Sequence, residues 1–338
     1  MTLMVTGGCG FIGVHLVHWL LAHTDERVIN IDALTYAAQP VALKGLAQPR
    51  YTFVQADVTD QAGLATLLDL YQPRALLHLA AETHVDRSIQ SPEPFLRHNV
   101  QGTHAVLEAV RGWLAGHPAR AADFRMLQVS TDEVYGDLGP TGAPAREGDA
   151  YRPGSPYAAS KAAADHLADA WFRTWGVPVL VSHCTNNYGP WQYPEKLIPV
   201  VIRHALRGEP IPLYGSGRQV RDWLHVEDHV RALWLLLEKG SPGEHYNIGA
   251  DNPRNNFDLV NQVCRILDEM SPSTAPAGGH ATLIAQVADR PGHDWRYGLD
   301  SSKIQALGWQ AATPFDEGLR ETVRFYIEYY RRQPGGGR

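Results

Sequence analysis

Short apolar runs alternate with longer amphipathic segments along the first half of the chain. Segments of helical period separate most of these runs, which have the length of buried strands: LMVTGG, RVINID, YTFVQAD, ALLHLAA, RMLQVS and PVLVSH. Strands and helices that alternate in this way form a parallel sheet with helices on both faces. The pattern therefore predicts an α/β fold built on a doubly wound parallel sheet.

The alternation breaks at about residue 186. Proline and glycine are frequent beyond this point, as in NNYGPWQYPEKLIP, which predicts a lobe made largely of loops. One later pair, VEDHVRALWLLLEKG followed by EHYNIG, again has the pattern of a helix and a strand of the main sheet. The predicted organisation is a first domain over residues 1–185, rejoined by about 222–249, a smaller C-terminal substrate-binding lobe over 186–330 and a disordered tail over 331–338.

Composition and charge narrow the class of protein. The 338 residues carry a net charge of −6, which argues against nucleic-acid binding. The N-terminus lacks the features of a signal peptide, and no apolar run approaches the ~20 residues of a membrane span. Cys9, Cys184 and Cys264 are far apart without zinc spacing, and the 16 histidines form no ligand cluster. We therefore expect a cytoplasmic protein with no metal site, nucleic-acid partner or membrane segment.

The first predicted strand runs directly into TGGCGFIG. Gly8, Gly10 and Gly13 form G-x-G-x-x-G, in which glycine permits a tight turn and lets the backbone approach a pyrophosphate. Asp32 ends the second predicted strand, 19 residues after Gly13. Its carboxylate can accept hydrogen bonds from the adenosine ribose and would repel a 2′-phosphate. These features predict a Rossmann-type site for NAD rather than NADP, with Asp57 either at the adenine or in a helix cap.

The segment SPYAASKAAADHL places Tyr157 and Lys161 four residues apart, so a helix brings both side chains to one face. An ammonium beside a phenol favours the phenolate and lowers a pKa that starts near ~10. A solvated helix face is the alternative interpretation. After a dinucleotide-binding pattern, the pair predicts a tyrosine that acts as base in the oxidation of an alcohol.

Two acids, Asp132 and Glu133, stand side by side in STDEVYG after the fifth predicted strand. Oxidation of an alcohol needs only one base, so this pair indicates proton transfer beyond the hydride step. A charged neighbour and a desolvated pocket would keep Asp132 protonated as an acid, which leaves Glu133 as the base. The alternative is a capping box formed by Ser130 and Glu133.

These motifs resemble the extended short-chain dehydrogenase/reductase family and, within it, the dTDP-glucose 4,6-dehydratases. The segment STDEVYG is discriminating, because related sugar-nucleotide 4-epimerases have a non-acidic pair there. The resemblance covers residues 1 to about 330, and seven segments follow the family's order: VTGGCGFIG, LHLAAETHVDRSI, VSTDEVYGDL, SPYAASKAAADHL, NNYGPWQYPEKLIP, VRDWLHVEDH and ADRPGHDWRY.

The resemblance implies a seven-stranded sheet, a homodimer joined through a helix bundle, and conversion of dTDP-glucose to dTDP-4-keto-6-deoxyglucose. Tyr157 would take the carbon-4 hydroxyl proton as hydride passes to NAD, with Thr131 bonded to the same oxygen. Glu133 would then remove the carbon-5 proton while Asp132 protonates the departing carbon-6 hydroxyl. Hydride would return to carbon 6.

The resemblance also implies the remaining contacts. Cofactor contacts fall on Gly7, Gly10, Phe11, Ile12, Gly13, Asp32, Ala33, Leu34, Thr35, Asp57, Val58, Leu79, Ala80, Ala81, His98, Tyr157, Lys161 and Asn187. Substrate contacts fall on Thr83, Thr131, Asn186, Lys196, Leu197, Pro212, Leu213, Tyr214, Arg221, Asn256, Arg290 and His293. The chain departs from the family's pattern at Cys9, His98, Trp191 and Trp295.

Three alternatives stay open at this point. An epimerase or decarboxylase of the same family would share NAD, Tyr157 and Lys161, but would have no use for the paired acids. A 4,6-dehydratase could act on a UDP- or CDP-sugar instead. A non-enzymatic, NAD-dependent regulator could keep the fold with a decayed site.

Overall fold

The computed structural model describes residues 1–46 and 49–332. In chain order its strands are β1 (Thr2–Thr6), β2 (Arg27–Asp32), β3 (Tyr51–Gln55), β4 (Ala75–His78), β5 (Arg125–Thr131), β6 (Val179–Cys184), β7 (Asn186–Tyr188), β8 (Ile211–Tyr214), β9 (Val220–His225), β10 (His245–Ile248), β11 (Pro253–Asn255) and β12 (Ile284–Val287).

The helices are α1 (Phe11–His23), α2 (Gln61–Tyr71), α3 (Val85–Gln90), α4 (Glu93–Phe95), α5 (Gly102–Gly116), α6 (Pro118–Ala121), α7 (Pro156–Trp175), α8 (Leu197–Arg207), α9 (Val226–Lys239), α10 (Asn256–Met270), α11 (Ser302–Ala306) and α12 (Phe315–Arg331). A π-helical segment, Leu96–Gln101, joins α4 to α5, so one continuous helix contains a widened turn. Short 3-10 turns occupy Pro40–Leu43, Asp132–Tyr135, Pro272–Thr274 and His280–Leu283.

The main sheet has seven parallel strands in the order β10-β6-β5-β4-β1-β2-β3. Helices α1 and α9 cover one face, and α2, α5 and α7 cover the other. The predicted doubly wound sheet is confirmed, as are all six strands expected in the first half. The later helix and strand, α9 and β10, also return to this sheet as predicted, because β10 pairs with β6.

Alternation along β1 shows how the sequence builds two cores around one sheet. Leu3 and Val5 pack towards α1, whereas Met4 between them packs towards the layer of α2 and α5. All three side chains are inaccessible to solvent. A strand buried on both faces is apolar at consecutive positions rather than at alternate ones, which is why the strands of this sheet read as continuous apolar runs.

The second lobe is built from two small sheets, β11-β9-β7 and β12-β8, with α8, α10 and α12 around a separate core. The bounds of the two domains stay a prediction. Within the predicted tail, Arg331 is the last residue of α12 and Arg332 is its C-cap, while residues 333–338 lie outside the described residues. None of the helices in the described ranges is long and apolar enough to cross a membrane.

Helix α7 begins with a side-chain cap that fixes the turn carrying Tyr157. The Ser155 hydroxyl accepts a hydrogen bond from the N–H of Ala158 at 3.1 Å, and Pro156 occupies the first helical position. The cap satisfies an N–H group that has no partner within the helix, and proline is already restricted to the helical φ. The start of α7 is therefore set locally.

We expect Ser155→Ala to lower the free energy of unfolding by about 1 kcal/mol, because the N–H of Ala158 loses its acceptor. Urea denaturation followed by circular dichroism measures the change. Ser155→Asp keeps an acceptor at the same place and serves as the matched control. Equal stability of the alanine and aspartate variants would show that the hydroxyl does not cap α7.

Candidate active site

A cavity of about 300 Å³ opens at the carboxyl ends of the parallel strands. Its walls come from the turn between β1 and α1, the ends of β2, β4, β5 and β6, and the first turns of α7. Ligands of open parallel sheets bind at this edge, where loops and helix N-termini converge. The position of the cavity follows from the topology of the sheet.

The turn between β1 and α1 has no room for a side chain at Gly7 or at Gly13. Gly7 has a φ of 73°, and a Cβ atom there would lie 2.6 Å from the backbone nitrogen of Ala80. A Cβ on Gly13 would lie 2.2 Å from the carbonyl oxygen of Gly7. Helix α1 starts after Gly10 without a side-chain cap, so its first N–H groups stay available to an anion. This arrangement fits the pyrophosphate of a dinucleotide.

The Asp32 carboxylate is held in place by two backbone groups. The N–H of Cys9 donates to Oδ2 at 2.9 Å, and the N–H of Leu34 donates to Oδ1 at 2.8 Å. Burial raises the pKa of Asp32, and these two hydrogen bonds oppose the rise. Each oxygen retains a lone pair for a ribose hydroxyl, whereas a phosphate at the same place would meet a carboxylate. The residues present therefore fit NAD.

Asp57 also lies on the cavity wall. Its Oδ1 accepts hydrogen bonds from both the N–H and the hydroxyl of Thr59 at 2.9 Å. Burial works against ionisation, but these bonds and the nearby His98 and Arg97 lower the pKa of Asp57. The helix-cap alternative is wrong, because Asp60 is the N-cap of α2.

Leu34 is the exception among the predicted cofactor contacts. It has a φ of 57°, and its side chain packs against the core under α1 rather than lining the cavity. Only its N–H contributes, through the bond to Asp32. The structure brings the other predicted contacts together on the cavity wall: Gly7, Gly10, Phe11, Ile12, Gly13, Asp32, Ala33, Thr35, Asp57, Val58, Leu79, Ala80, Ala81, His98, Tyr157, Lys161 and Asn187.

Tyr157 and Lys161 are both buried on α7. The Lys161 ammonium donates to the carbonyl oxygen of Val129 at 2.7 Å. Burial lowers the pKa of Lys161, and the carboxylate of Asp165 opposes this change. Burial, followed by the charge of Glu133, raises the pKa of Tyr157 well above its ordinary value. The predicted lowering of this pKa is therefore wrong for the described chain, in which burial and the charge of Glu133 set its direction.

The paired acids occupy a 3-10 turn directly after β5. Thr131 caps this turn: its hydroxyl oxygen accepts from the N–H of Glu133 at 3.3 Å and donates to Asp132 Oδ1 at 3.2 Å. Asp132 Oδ2 and Glu133 Oε2 are buried without a hydrogen-bond partner among the described residues. These two oxygens are therefore available to a bound molecule.

The two acids have different charged neighbours, which act differently on their pKa values. Burial, and then the charge of Glu133, raises the pKa of Asp132 well above its ordinary value. Burial also raises the pKa of Glu133, but Arg221, Arg290 and Lys196 oppose that rise. Burial and the charge of its neighbour therefore favour the protonated form of Asp132, whereas the three cations favour the ionised form of Glu133.

The capping-box interpretation of STDEVYG is wrong. The Ser130 hydroxyl donates to Asp165 Oδ2 at 2.7 Å instead of capping the turn. The N-cap of the turn is Thr131. Glu133 therefore has no capping partner in Ser130, and the acid pair is not explained by local helix capping.

Four of the predicted substrate contacts, Thr83, Thr131, Asn186 and Lys196, line the cavity. The Lys196 ammonium donates to the carbonyl oxygen of Thr83 at 2.7 Å, which joins the two lobes at the mouth of the site. The other predicted contacts lie in the second lobe, outside the cavity lining: Leu197, Pro212, Leu213, Tyr214, Arg221, Asn256, Arg290 and His293.

The cations of the second lobe are bound by protein acceptors. Arg221 donates to the carbonyl oxygen of Asp294 at 3.0 Å, and Arg290 lies 3.5 Å from Asp86. The Leu213 side chain is buried in the core between α8 and α10, because β8 points that residue inward, and the predicted substrate contact of this residue stays a prediction.

The sequence analysis missed several residues on the cavity wall. Gln192, Tyr193 and Glu195 lie on the loop between β7 and α8 and line the cavity. Glu195 accepts from the Tyr36 hydroxyl at 3.2 Å and lies 3.3 Å from Arg87. Gln192, Tyr193 and Glu195 fall within NNYGPWQYPEKLIP, so their place in that motif was the available signal.

Residues that depart from the family's pattern fall into different environments. Cys9 is buried beneath the glycine turn, whereas His98 lines the cavity. Trp191 has a φ of 65° and packs its ring against α12. Trp295 is one-third exposed, and its carbonyl oxygen accepts from β9. None of the four contacts the paired acids through a hydrogen bond described here.

The family described as GDP-mannose 4,6 dehydratase matches residues 4–322 of the chain. A protein of Sinorhizobium fredii (strain NBRC 101917 / NGR234), named probable dTDP-glucose 4,6-dehydratase, is 50% identical over 331 residues. That match covers 97% of this chain and 93% of the relative.

Solved structures show the same relationship. DesIV, a dTDP-glucose 4,6-dehydratase from Streptomyces venezuelae with NAD bound, has a TM-score of 0.89 and 41% identity over 99% of both chains. A UDP-glucose 4-epimerase from Thermotoga maritima has a TM-score of 0.83 but only 26% identity, over 98% of this chain and 100% of the epimerase. The chain therefore belongs to the extended short-chain dehydrogenase/reductase family and, within it, to the family of dTDP-glucose 4,6-dehydratases.

Proposed function

We propose that this protein is an NAD-dependent hydro-lyase that converts dTDP-glucose to dTDP-4-keto-6-deoxyglucose. The observation that carries the proposal is the pair of carboxyl groups, Asp132 and Glu133, beside the buried Tyr157. Oxidation at carbon 4 needs only the tyrosine. Removal of water across carbons 5 and 6 needs an acid and a base as well, and the pair supplies both.

The first step is removal of the carbon-4 hydroxyl proton by Tyr157. Thr131 holds the same oxygen by a hydrogen bond, and the ammonium of Lys161 favours the phenolate. NAD, when bound on the glycine turn, supplies the hydride acceptor for carbon 4 and afterwards the hydride for carbon 6. The burial of Tyr157 keeps water away from the reacting atoms.

The ketone at carbon 4 acidifies the hydrogen on carbon 5, and Glu133 removes it. Asp132 gives its proton to the carbon-6 hydroxyl, which leaves as water. Return of a proton to carbon 5 accompanies the return of hydride to carbon 6. Glu133 is suited to the base role because three cations face it, and Asp132 is suited to the acid role because burial and Glu133 keep it protonated.

An epimerase or decarboxylase of the same family is the alternative enzyme, but it leaves the acid pair without a role. A UDP- or CDP-sugar as substrate is the alternative within the dehydratases.

We also propose that the enzyme is cytoplasmic, which the three free, buried cysteines support. We also propose a homodimer joined through a helix bundle, as the family resemblance implies.

With dTDP-glucose, we expect product that is lighter by one water, and less or none with UDP-glucose or CDP-glucose, measured by mass spectrometry. Deuterium placed at carbon 4 should appear at carbon 6, because the cofactor that takes the hydride returns it. Label that stays at carbon 4, or a product of unchanged mass from every nucleotide-glucose, would contradict a dehydratase.

We expect Asp132→Asn to oxidise the substrate but to stall before loss of water, because an amide cannot release the proton. General acid catalysis raises the rate of such a step by about 10²- to 10⁴-fold. Without it, reduced cofactor should accumulate on the enzyme and be detected by absorbance. Glu133→Gln should stall at the same stage, since the carbon-5 proton stays in place. Dehydration by both variants at the parent rate would remove the acid and base assignments.

Tyr157→Phe should abolish oxidation at carbon 4 while the protein still binds NAD, because only the phenol oxygen is lost. Single-turnover absorbance measures the oxidation, and calorimetric titration measures NAD affinity. Tyr193→Phe is the control, since it removes a phenol from the same cavity that has no proposed proton to transfer. A Tyr157→Phe enzyme that oxidises substrate near the parent rate would show that another group is the base.

A further inference from the structure

Helix α3 connects the start of α7 with the second lobe, and none of the proposed catalytic steps uses it. On one side, the hydroxyl oxygen of the buried Ser88 accepts a hydrogen bond from the backbone N–H of Tyr157 at 3.2 Å. The same hydroxyl donates to the carbonyl oxygen of Val85, within α3, at 2.6 Å. Helix α3 is therefore anchored to the turn of α7 that carries the tyrosine.

On the other side, Asp86 extends from α3 to two side chains of the second lobe. Its Oδ2 accepts from the Tyr214 hydroxyl at 3.2 Å, and its Oδ1 lies 3.5 Å from Nη1 of Arg290. The side chains of Asp86 and Arg290 are 28% and 20% exposed, so solvent screens this ion pair only in part. One carboxylate thus holds two groups from different segments of the second lobe.

The pairing of β8 with β12 explains why these two side chains meet. Tyr214 is the last residue of β8 and lies opposite Val287, the last residue of β12. Arg290 follows Val287 by three residues, on the loop that leaves the same end of this parallel pair. The register of the two strands therefore brings a phenol and a guanidinium side by side to one carboxylate.

Asp86 occupies only one edge of the Arg290 guanidinium. The contact is with Nη1, whereas Nε is buried and has no hydrogen-bond partner in the part of the chain that the structure describes. A guanidinium presents its N–H groups in a planar fork that matches two oxygens of a phosphate. Because a buried donor without an acceptor is costly, the edge that carries Nε fits an oxyanion.

Arg221 provides a second permanent cation, and both guanidinium groups face Glu133. Arg221 donates to the carbonyl oxygens of Val220 and Asp294 at 2.8 and 3.0 Å, and these acceptors carry no formal charge. Arginine stays protonated in proteins. Two permanent cations near the acid pair suit a ligand with at least two negative charges, such as the diphosphate of a nucleotide sugar.

We propose that Asp86 is a positioning residue that aligns Arg290 and Tyr214 to bind the diphosphate of the substrate. The inference rests on the proposed function, which supplies a nucleotide-linked sugar as substrate. It adds the anchor of the binding groups: Ser88 ties α3 to Tyr157, and Asp86 ties the second lobe to α3. The distance between the diphosphate and the reacting tyrosine is therefore set through one short helix.

Calorimetric titration of the NAD-loaded enzyme with thymidine diphosphate, and in parallel with uridine diphosphate, tests the inference without turnover. Loss of a negative charge would by itself strengthen the binding of an anion. We expect the opposite from Asp86→Ala: a Kd about tenfold higher for whichever nucleotide the parent binds, because Arg290 and Tyr214 lose their common partner. An unchanged or lower Kd would overturn the inference.

Steady-state turnover separates positioning of the diphosphate site from damage to the rest of the active site. With the nucleotide-glucose that the parent uses best, Asp86→Ala should raise KM about tenfold and leave kcat and NAD affinity within about twofold of the parent, since Tyr157 and the paired acids are unchanged. A fall in kcat or in NAD affinity as large as the rise in KM would show a general disturbance and overturn the inference.

Two further variants assign the effect. Arg87→Gln removes the neighbouring ion pair of α3, which joins the same two lobes at 3.3 Å through Glu195, and should leave the nucleotide Kd within about twofold of the parent. In a protein that carries Arg290→Gln and Tyr214→Phe, Asp86→Ala should weaken binding no further, because both of its partners are gone. Equal weakening by Arg87→Gln, or further weakening in the double variant, would contradict the assigned role of Asp86.

Failure of the proposed function would give a different result. A parent that binds a nucleoside diphosphate, with the expected loss in Asp86→Ala, but removes water from no nucleotide-glucose would contradict the dehydratase and leave the inference standing. An active dehydratase that binds neither nucleoside diphosphate would overturn the inference alone.

Discussion

Exclusion of water is the constraint on which the chemistry of this protein depends. Asp132, Tyr157 and Lys161 lie in one buried space, so each keeps or loses its proton according to its neighbours rather than to solvent. Burial favours the neutral form of all three groups. It therefore stabilises the protonated form of Asp132 but destabilises the charged form of Lys161. The charge of Glu133 adds to the effect of burial at Asp132, whereas burial opposes the charged form of Lys161.

The fold gathers these groups through one edge of the parallel sheet. The end of β5 supplies the acid pair, and α7 packs against β5 and β6 to bring the tyrosine and lysine alongside. The second lobe adds what the sheet lacks, namely the cations Arg221, Arg290 and Lys196 that face Glu133. The pKa of Glu133 thus depends on residues of the second lobe as well as on its own burial.

Features that depend on local geometry were predictable from the sequence. The glycine turn and Asp32 follow a strand at fixed spacing, and Tyr157 and Lys161 follow from the period of a helix. Features that depend on distant partners were not. The sequence around Ser130 predicts a helix cap, but in the structure its hydroxyl donates to Asp165, which is 35 residues away in sequence. The motif containing Leu213 does not reveal that this side chain turns into the core of the second lobe.

The widened turn at Leu96–Gln101 places Asn99 where a regular helix would not. Its amide bonds both backbone groups of Glu82, at 2.8 and 3.0 Å, and the hydroxyl of Ser160 on α7 at 2.9 Å. One residue of a regular α-helix turns about 100° around the axis, so deleting a residue from this turn would swing Asn99 away from both partners. The extra residue acts as a spacer that sets the position of the cavity wall at Glu82 relative to α7, the helix that carries Tyr157. In related enzymes, we expect the side chains of this segment to vary more readily than the number of residues in it.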